Sequence, residues 1–314
     1  MPWIKKGMVY RPDGSLPHSR THAQVPFAFP LKNGRVRIYI SSRDEQSQSR
    51  PTFIEVDEND FNNVLYVHDK PVLDIGQVGQ YDETGVMPSW FVTMPNGNIR
   101  LYYTGWNRNW DNSYRLAIGL AESKDGGVTF QKLFTGPVMD RSIQNPVWAA
   151  QPSIMFDDNL WKMWYIAAHK METIDGRPEP FYRGQYAESE DGINWKIADE
   201  AVIDFDDFLH AVGRPTVFKE DGIFKMYYSF RNANQYRTDR EKSYRMGYAE
   251  SIDGKSWTRK DELAGIDKSD NPEDFDYLMI DYAHCCIIND KKYLFYNGNG
   301  FGASGLGYAV WEGF

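Results

Sequence analysis

The sequence predicts an all-β fold, a single five-bladed β-propeller of four-stranded antiparallel blades. Three observations predict it. A motif recurs three times at 66- and 62-residue spacing, starting at Leu120, Tyr186 and Tyr248. Aromatic residues make up 15% of the 314 positions, with 10 Trp and 20 Tyr, which suits half-buried pleated surfaces. No stretch sustains the 3.6-residue apolar period of a helix.

The first unit is a weaker copy: Gln24-Val-Pro-Phe-Ala-Phe, then the turn Asn33-Gly34, then Arg37-Ile-Tyr-Ile-Ser. Glu58–Leu65, which follows it, reads as a short turn of helix. Each of the next three units opens on a strand-like run with an early proline: Met87-Pro-Ser, Gln151-Pro-Ser-Ile-Met-Phe and Arg214-Pro-Thr-Val-Phe. An aromatic run follows after an Asn, Asp or Gly turn: Arg100-Leu-Tyr-Tyr-Thr, Lys162-Met-Trp-Tyr-Ile and Lys225-Met-Tyr-Tyr-Ser. The repeated motif closes them: Leu120-Ala-Glu-Ser-Lys-Asp-Gly126, Tyr186-Ala-Glu-Ser-Glu-Asp-Gly192 and Tyr248-Ala-Glu-Ser-Ile-Asp-Gly254, each followed by an aromatic at Phe130, Trp195 or Trp257. A last copy runs from Tyr282-Ala-His-Cys-Cys-Ile through Asn289-Asp290 and Tyr293-Leu-Phe-Tyr-Asn to Gly307-Tyr-Ala-Val310. Turn residues between short aromatic or β-branched runs signal hairpins. Radially repeated four-stranded sheets are propeller blades, whereas stacked solenoids use shorter repeats. The expected blades span approximately 15–70, 80–135, 145–200, 208–262 and 274–314, in one domain.

A net charge of −9 argues against general attraction to nucleic acid. The opening MPWIKKGMVYRPDG has no signal-peptide apolar run, and no stretch reaches the length of a membrane span. Cys285 and Cys286 are adjacent in an apolar run, which reads as buried structural thiols. A cytoplasmic protein without a cofactor is expected; oligomeric state is left open.

In a propeller the mouth of the central channel is built from the start of strand 1, the end of strand 2 and the start of strand 3. Asp125, Asp191 and Asp253 lie on the other face, where an Asp closing an Asx-turn is structural. Glu122, Glu188 and Glu250 recur in mid-strand and share a structural role. The mouth collects Arg43-Asp44, Trp106-Asn107, Ala168-His169, Arg231-Asn232 and Asn299-Gly300 from strand 2, and Arg50, Arg115, Arg183 and Arg245 from strand 3, three of them after a tyrosine. Strand 1 offers Gln24, Met87, Gln151, Arg214 and Tyr282, with His22, Glu83, Trp148, His210 and Asp281 just upstream. Arg43, Arg214 and Arg231 converge on the axis in this arrangement, and forked guanidiniums suit carboxylate or phosphate. The expected partner is a carbohydrate bearing an anionic group, acidic or phosphorylated, or phosphate itself as co-substrate. Candidate binding residues are His22, Arg43, Arg50, Trp106, Asn107, Gln151, His169, Arg214, Arg231, Tyr282, His284 and Asn299. Histidines 22, 169, 210 and 284 come from different blades without a short ligand spacing, so no metal site is assigned.

The run Gln151-Pro-Ser-Ile-Met-Phe-Asp-Asp-Asn, then Trp161-Lys-Met-Trp-Tyr, then Tyr186-Ala-Glu-Ser-Glu-Asp-Gly-Ile-Asn-Trp195, resembles the five-bladed glycosidase superfamily that includes glycoside hydrolase families 43, 32, 68 and 130. Ser42-Arg-Asp-Glu-Gln-Ser-Gln-Ser-Arg50 is similar to a stretch of the family 130 mannoside phosphorylases and hydrolases. Overall the chain is similar to propeller proteins encoded near bacterial surface-polysaccharide genes. The resemblance implies a glycoside hydrolase-like enzyme, with a non-catalytic carbohydrate-binding propeller or a phosphate-using glycoside phosphorylase as alternatives. The catalytic acids that it implies are absent from their usual places: Val25, Gln151 and Arg214 stand where family 43 places Asp, Asp and Glu. Asp82 and Glu83 lie upstream of Gly85-Val-Met-Pro-Ser89, where family 130 has an acidic pair before its proline.

Glycoside hydrolysis commonly uses two carboxyl groups across the scissile bond. Asp44, Asp82, Glu83 and Asp281 are the acids near the mouth. Asp44 is the expected general base or electrostatic stabiliser beside Arg43 and Arg50, unless it merely bridges Arg50 across the strands. Glu83 is the expected proton donor, a role that needs burial. Ser123-Lys-Asp-Gly-Gly-Val-Thr-Phe130 also fits the sialidase Asp-box, but that turn sits on the non-catalytic face and sialidases are six-bladed. A protein-interaction scaffold would expose apolar patches at the mouth instead of arginines.

Overall fold

A computed structural model describes residues 2–108, 113–207 and 209–313, so the expected boundaries at 208 and 314 lie outside the described residues. The chain is nearly all β. After β1 (Trp3–Tyr10) come β2 (Thr21–Pro30), β3 (Arg35–Arg43), β4 (Ser49–Asp57) and β5 (Asp60–Val67). The next group is β6 (Gly85–Thr93), β7 (Ile99–Arg108), β8 (Tyr114–Ser123) and β9 (Gln131–Lys132). It is followed by β10 (Trp148–Asp157), β11 (Leu160–Ile174), β12 (Arg177–Ser189) and β13 (Lys196–Ile197). Then come β14 (Ala211–Glu220), β15 (Ile223–Arg231), β16 (Arg245–Ser251) and β17 (Thr258–Arg259), and finally β18 (Asp281–Ile288), β19 (Lys291–Asn297) and β20 (Leu306–Trp311).

Within each group consecutive strands pair antiparallel as a meander, and β1 adds to β20 as the outer strand of the last one. That N-terminal partner was not expected from sequence. Single parallel bridges, Ser49 to Gly85 and Tyr182 to Ala211, join successive meanders, giving three hydrogen-bonded sheets. The helical turn expected at 58–65 is instead the β4–β5 hairpin, with Asp57 opposite Asp60 and Val56 opposite Val64. Burial of Phe61 against Tyr293, Phe295 and Tyr308 overrides the local preference.

The first strands of the meanders share a backbone device. Val25, Gln151, Arg214 and Tyr282 all adopt positive φ (47°, 50°, 29° and 53°), and the pairing register slips at the same places. Such bulges bend a strand and re-aim its side chain. By this criterion Val25, not Gln24, is the backbone equivalent of Gln151, Arg214 and Tyr282.

Three kinds of tie recur between neighbouring meanders, each at three of the junctions. Three bulge N–H groups donate to a polar side chain of the preceding second strand, Val25 to Asn297 Oδ1 (3.1 Å), Gln151 to Thr104 Oγ1 (2.9 Å) and Tyr282 to Ser229 Oγ (3.4 Å), and that of Arg214 donates to Gln151 Oε1 (3.1 Å). Further along, the N–H groups of Val217, Cys285 and Ala28 donate to Ser153 Oγ, Thr216 Oγ1 and His284 Nδ1, each at 3.1 Å. On the far face, Tyr39, Tyr102 and Trp164 donate to the carbonyls of Gly127, Gly192 and Gly254, at 2.8, 2.8 and 2.7 Å. These carbonyls belong to the Asp turns, in which Asp125, Asp191 and Asp253 accept backbone N–H groups as the Asx-turn expectation requires. At Gly192 (φ +72°) a Cβ would lie 2.8 Å from the Tyr102 hydroxyl, so the socket demands glycine.

Candidate functional site

At the end of the bundle where the first strands begin lies a pocket of about 210 Å³. First strands contribute Gln24, Met87, Gln151 and Tyr282; second strands contribute Arg43, Trp106 and Arg231; third strands contribute Tyr114 and Tyr182, and Tyr244 lies just before the third strand of its meander. Trp148 completes one wall, and Tyr236 and Arg237, from the β15–β16 connection, line another. Residues of the same three kinds of position therefore meet, because every meander presents its strand starts and ends at the same level.

The cations of this pocket differ sharply. Arg43 is half-buried; its Nε donates to Gln24 Oε1 (3.2 Å), and it has no acid partner among the described residues. Burial, with Arg108 nearby, lowers its affinity for the proton. Arg231 is 1% exposed. Its Nε donates to the Tyr244 hydroxyl (3.2 Å) and its Nη1 to the Asn232 carbonyl (2.8 Å), while the guanidinium lies 3.6 Å above the Tyr236 ring. Tyr244 shares a short hydrogen bond with Tyr182, and burial raises the pKa of both phenols. Among the described residues, none that lines the pocket carries a carboxyl group. The indole N–H groups of Trp106 and Trp148 are buried with no acceptor among the described residues.

Five of the fourteen sequence-predicted residues meet here: Arg43, Trp106, Gln151, Arg231 and Tyr282. The others serve elsewhere. Arg214, expected to bind an anion, is fully buried and donates to three backbone carbonyls: Pro26 (2.6 Å), Tyr282 (2.8 Å) and Ser89 (3.2 Å). It ties β2, β6 and β18 together across the axis, and its left-handed bulge turns the long side chain inward to reach them. His284 is 4% exposed, stacked on Phe27 at 3.9 Å, and holds the Ala28 N–H as Ser153 and Thr216 hold theirs. Asn299 closes a loop: its Oδ1 accepts the N–H groups of Leu278 and Met279. His169 is exposed at a register slip of β11. His22 borders Arg43, and burial and that guanidinium push its imidazole down to about 4.

The two expected catalytic acids are held outside the pocket lining. Asp44 accepts from Arg50 (2.7 Å) and from the N–H groups of Gln46 and Gln48 (2.9 Å each), the strand-to-strand bridge weighed as the alternative. Arg50 also donates to Asp74 at 2.7 Å, so its fork is taken up by two acids. Glu83 accepts from Gly79 N (2.6 Å) and from Asn107 Nδ2 (2.5 Å), which occupies Asn107 as well. Of the remaining acids, Asp82 is buried against Lys132 (2.6 Å) and the Tyr103 hydroxyl (3.0 Å). Asp281 is fully buried beside Asn297, and burial raises its carboxyl well above the usual range.

Tyr114, Tyr182 and Tyr244 are pocket residues that sequence reasoning passed over in favour of the arginines following each of them. Side chains alternate along a strand, so the tyrosines face in and Arg115, Arg183 and Arg245 face out. Their recurrence just before those arginines was the available signal. Tyr236, Arg237 and Phe301 lie in connections outside the repeat, where no signal existed.

No family model matches the chain. The uncharacterised proteins MT1551 and Rv1502 of Mycobacterium tuberculosis are each 31% identical to it over 315 residues, covering 99% of this chain and all of theirs. Among solved structures, a glycoside hydrolase superposes with a TM-score of 0.74 at 16% identity, covering the whole chain and 92% of its own. A thermostable family-43 glycoside hydrolase gives 0.61 at 17% identity over 94% of this chain and 89% of its own. The fold is thus the propeller-like one of glycoside hydrolases.

Proposed function

The chain belongs to one family with the two mycobacterial proteins, and on that premise we propose that it recognises a glycan or sugar derivative bearing an anionic group, in the pocket described above. We read the meanders as five four-stranded blades and the pocket as the mouth of their channel. The observation that carries the proposal is Arg43: a half-buried guanidinium without an acid partner among the described residues, facing a cavity walled by Trp106, Trp148 and tyrosines. A forked cation suits a carboxylate or phosphate. Aromatic faces suit the C–H faces of a sugar ring, and the amide NH2 groups of Gln24 and Gln151, whose oxygens accept from Arg43 Nε and Arg214 N, suit its oxygens. The indole N–H groups of Trp106 and Trp148 are further donors that a sugar oxygen would satisfy.

Glycoside hydrolase or phosphorylase chemistry is the second reading, favoured by the shared fold. Two carboxyl groups roughly 5–9.5 Å apart are the common requirement, and among the described residues the pocket lining supplies none. Recognition is therefore the function these residues support best. Calorimetric titration with glucuronate, galacturonate, N-acetylneuraminate, a hexose phosphate and neutral hexoses tests it. Binding of an acidic sugar that falls at least tenfold in Arg43→Gln is expected; equal, negligible heats for every sugar would sink it. Release of sugar from an acidic glycan, abolished in Asp44→Asn or Glu83→Gln, would instead establish the enzyme.

A further inference from the structure

The β11–β12 hairpin, of 15- and 13-residue strands, is longer than its counterparts and carries Glu179. This carboxylate is 3% exposed and lies beside the pocket wall formed by the β15–β16 connection. It accepts the Tyr236 hydroxyl at 3.0 Å and both terminal nitrogens of Arg237, with Arg231 Nη2 at 3.9 Å. Tyr236 itself bears two cations: the guanidinium carbon of Arg231 lies 3.6 Å from its ring centre and that of Arg237 lies 4.3 Å away. Two cations stacked on one ring repel each other unless an anion lies between them. Glu179 is that anion.

We propose that Glu179 is a positioning residue that sets the charge selectivity of the pocket, acting as a built-in occupant of a second anion site made by Arg231 and Arg237. It straps the Tyr236–Arg237 segment across the pocket and uses the guanidinium edges a ligand would otherwise take. Arg43 is thereby left as the receptor for a single negative charge, and the Arg231 end presents aromatic surface to the uncharged part of the sugar. This rests on the ligand class proposed above and narrows it to a glycan residue with one carboxylate, against phosphorylated or doubly charged sugars.

The test compares methyl glucuronoside, a hexose phosphate and neutral methyl glucoside by calorimetry in the full chain. Wild-type protein should favour the glucuronoside over the phosphate. Glu179→Gln, which keeps the shape and removes the charge, should raise hexose phosphate affinity at least tenfold and change glucuronoside affinity less than threefold; adding Arg237→Gln should reverse the gain. A wild-type preference ratio retained in folded Glu179→Gln overturns the role of Glu179. Where Glu179→Gln does not fold, Arg237→Gln alone decides. Its side chain is 40% exposed, and its loss uncovers the carboxylate, so both anionic probes should weaken about tenfold more than methyl glucoside does. Equal weakening of all three probes overturns the proposal. Wild-type protein that binds no probe removes the ligand class itself, a failure separate from that of Glu179.

Discussion

Replacing Arg214 tests whether the residue at the centre of the bundle serves the fold or a ligand. Its guanidinium donates to the carbonyls of Pro26, Tyr282 and Ser89, and has no acid partner among the described residues. Charge-assisted hydrogen bonds contribute about 1.5–3 kcal/mol each, so three of them are worth roughly 5–9 kcal/mol. Opposing them, burial pulls the guanidinium from its ordinary 12.5 down to about 9, a penalty on the charged form of roughly 5 kcal/mol at 1.36 kcal/mol per pH unit. Arg214→Met removes both terms, a difference of roughly 0–4 kcal/mol, and also leaves three buried carbonyls unpaired, so it should cost at least about 1 kcal/mol. Arg214→Lys should cost at least as much, because it keeps a buried charge while one nitrogen cannot reach three strands. Urea denaturation followed by tryptophan fluorescence measures both. Arg214→Met as stable as wild type, or Arg214→Lys within about 0.5 kcal/mol of it, would refute the tie. Loss of acidic-sugar binding in a folded, undiminished Arg214→Met would restore the ligand role expected from sequence.

Two further outcomes follow from the same geometry. Tyr102→Phe should destabilise by about 1–2 kcal/mol by orphaning the Gly192 carbonyl, and Tyr39→Phe should act alike at Gly127, nearly additively; additivity is read from denaturation midpoints of the double variant. Stability should also fall on acidification between about pH 6.5 and 4. Burial holds the imidazole of His22 at about 4 and lowers those of His18, His68, His210 and His284. The unfolded chain therefore binds more protons in that window, and stability is complete above it and lost as pH falls. Denaturation at pH 7 and pH 4 checks the sign, and His22→Asn should flatten part of the slope; stability that rises on acidification would contradict it.

Much of the site's location was legible because the repeat fixes which positions share a level. Arg43, Trp106, Gln151, Arg231 and Tyr282 were found that way. The functions of their neighbours were not, because a side chain's partner is set by distance in space. Arg214 and Arg43 read alike in sequence, yet one meets three carbonyls and the other faces a cavity. Asp44 and Glu83 looked available, and local backbone N–H groups, Arg50 and Asn107 claim them.

By itself the sequence determined the meander repeat, the Asp turns and the end at which polar residues gather, since strand period and turn chemistry are local and are written in neighbouring residues. Only the tertiary structure decided that β1 completes the last sheet and that Glu179 reaches Tyr236 and Arg237. Those outcomes depend on pairings across 57 or more residues, where closure and packing choose the partner and no local pattern records it.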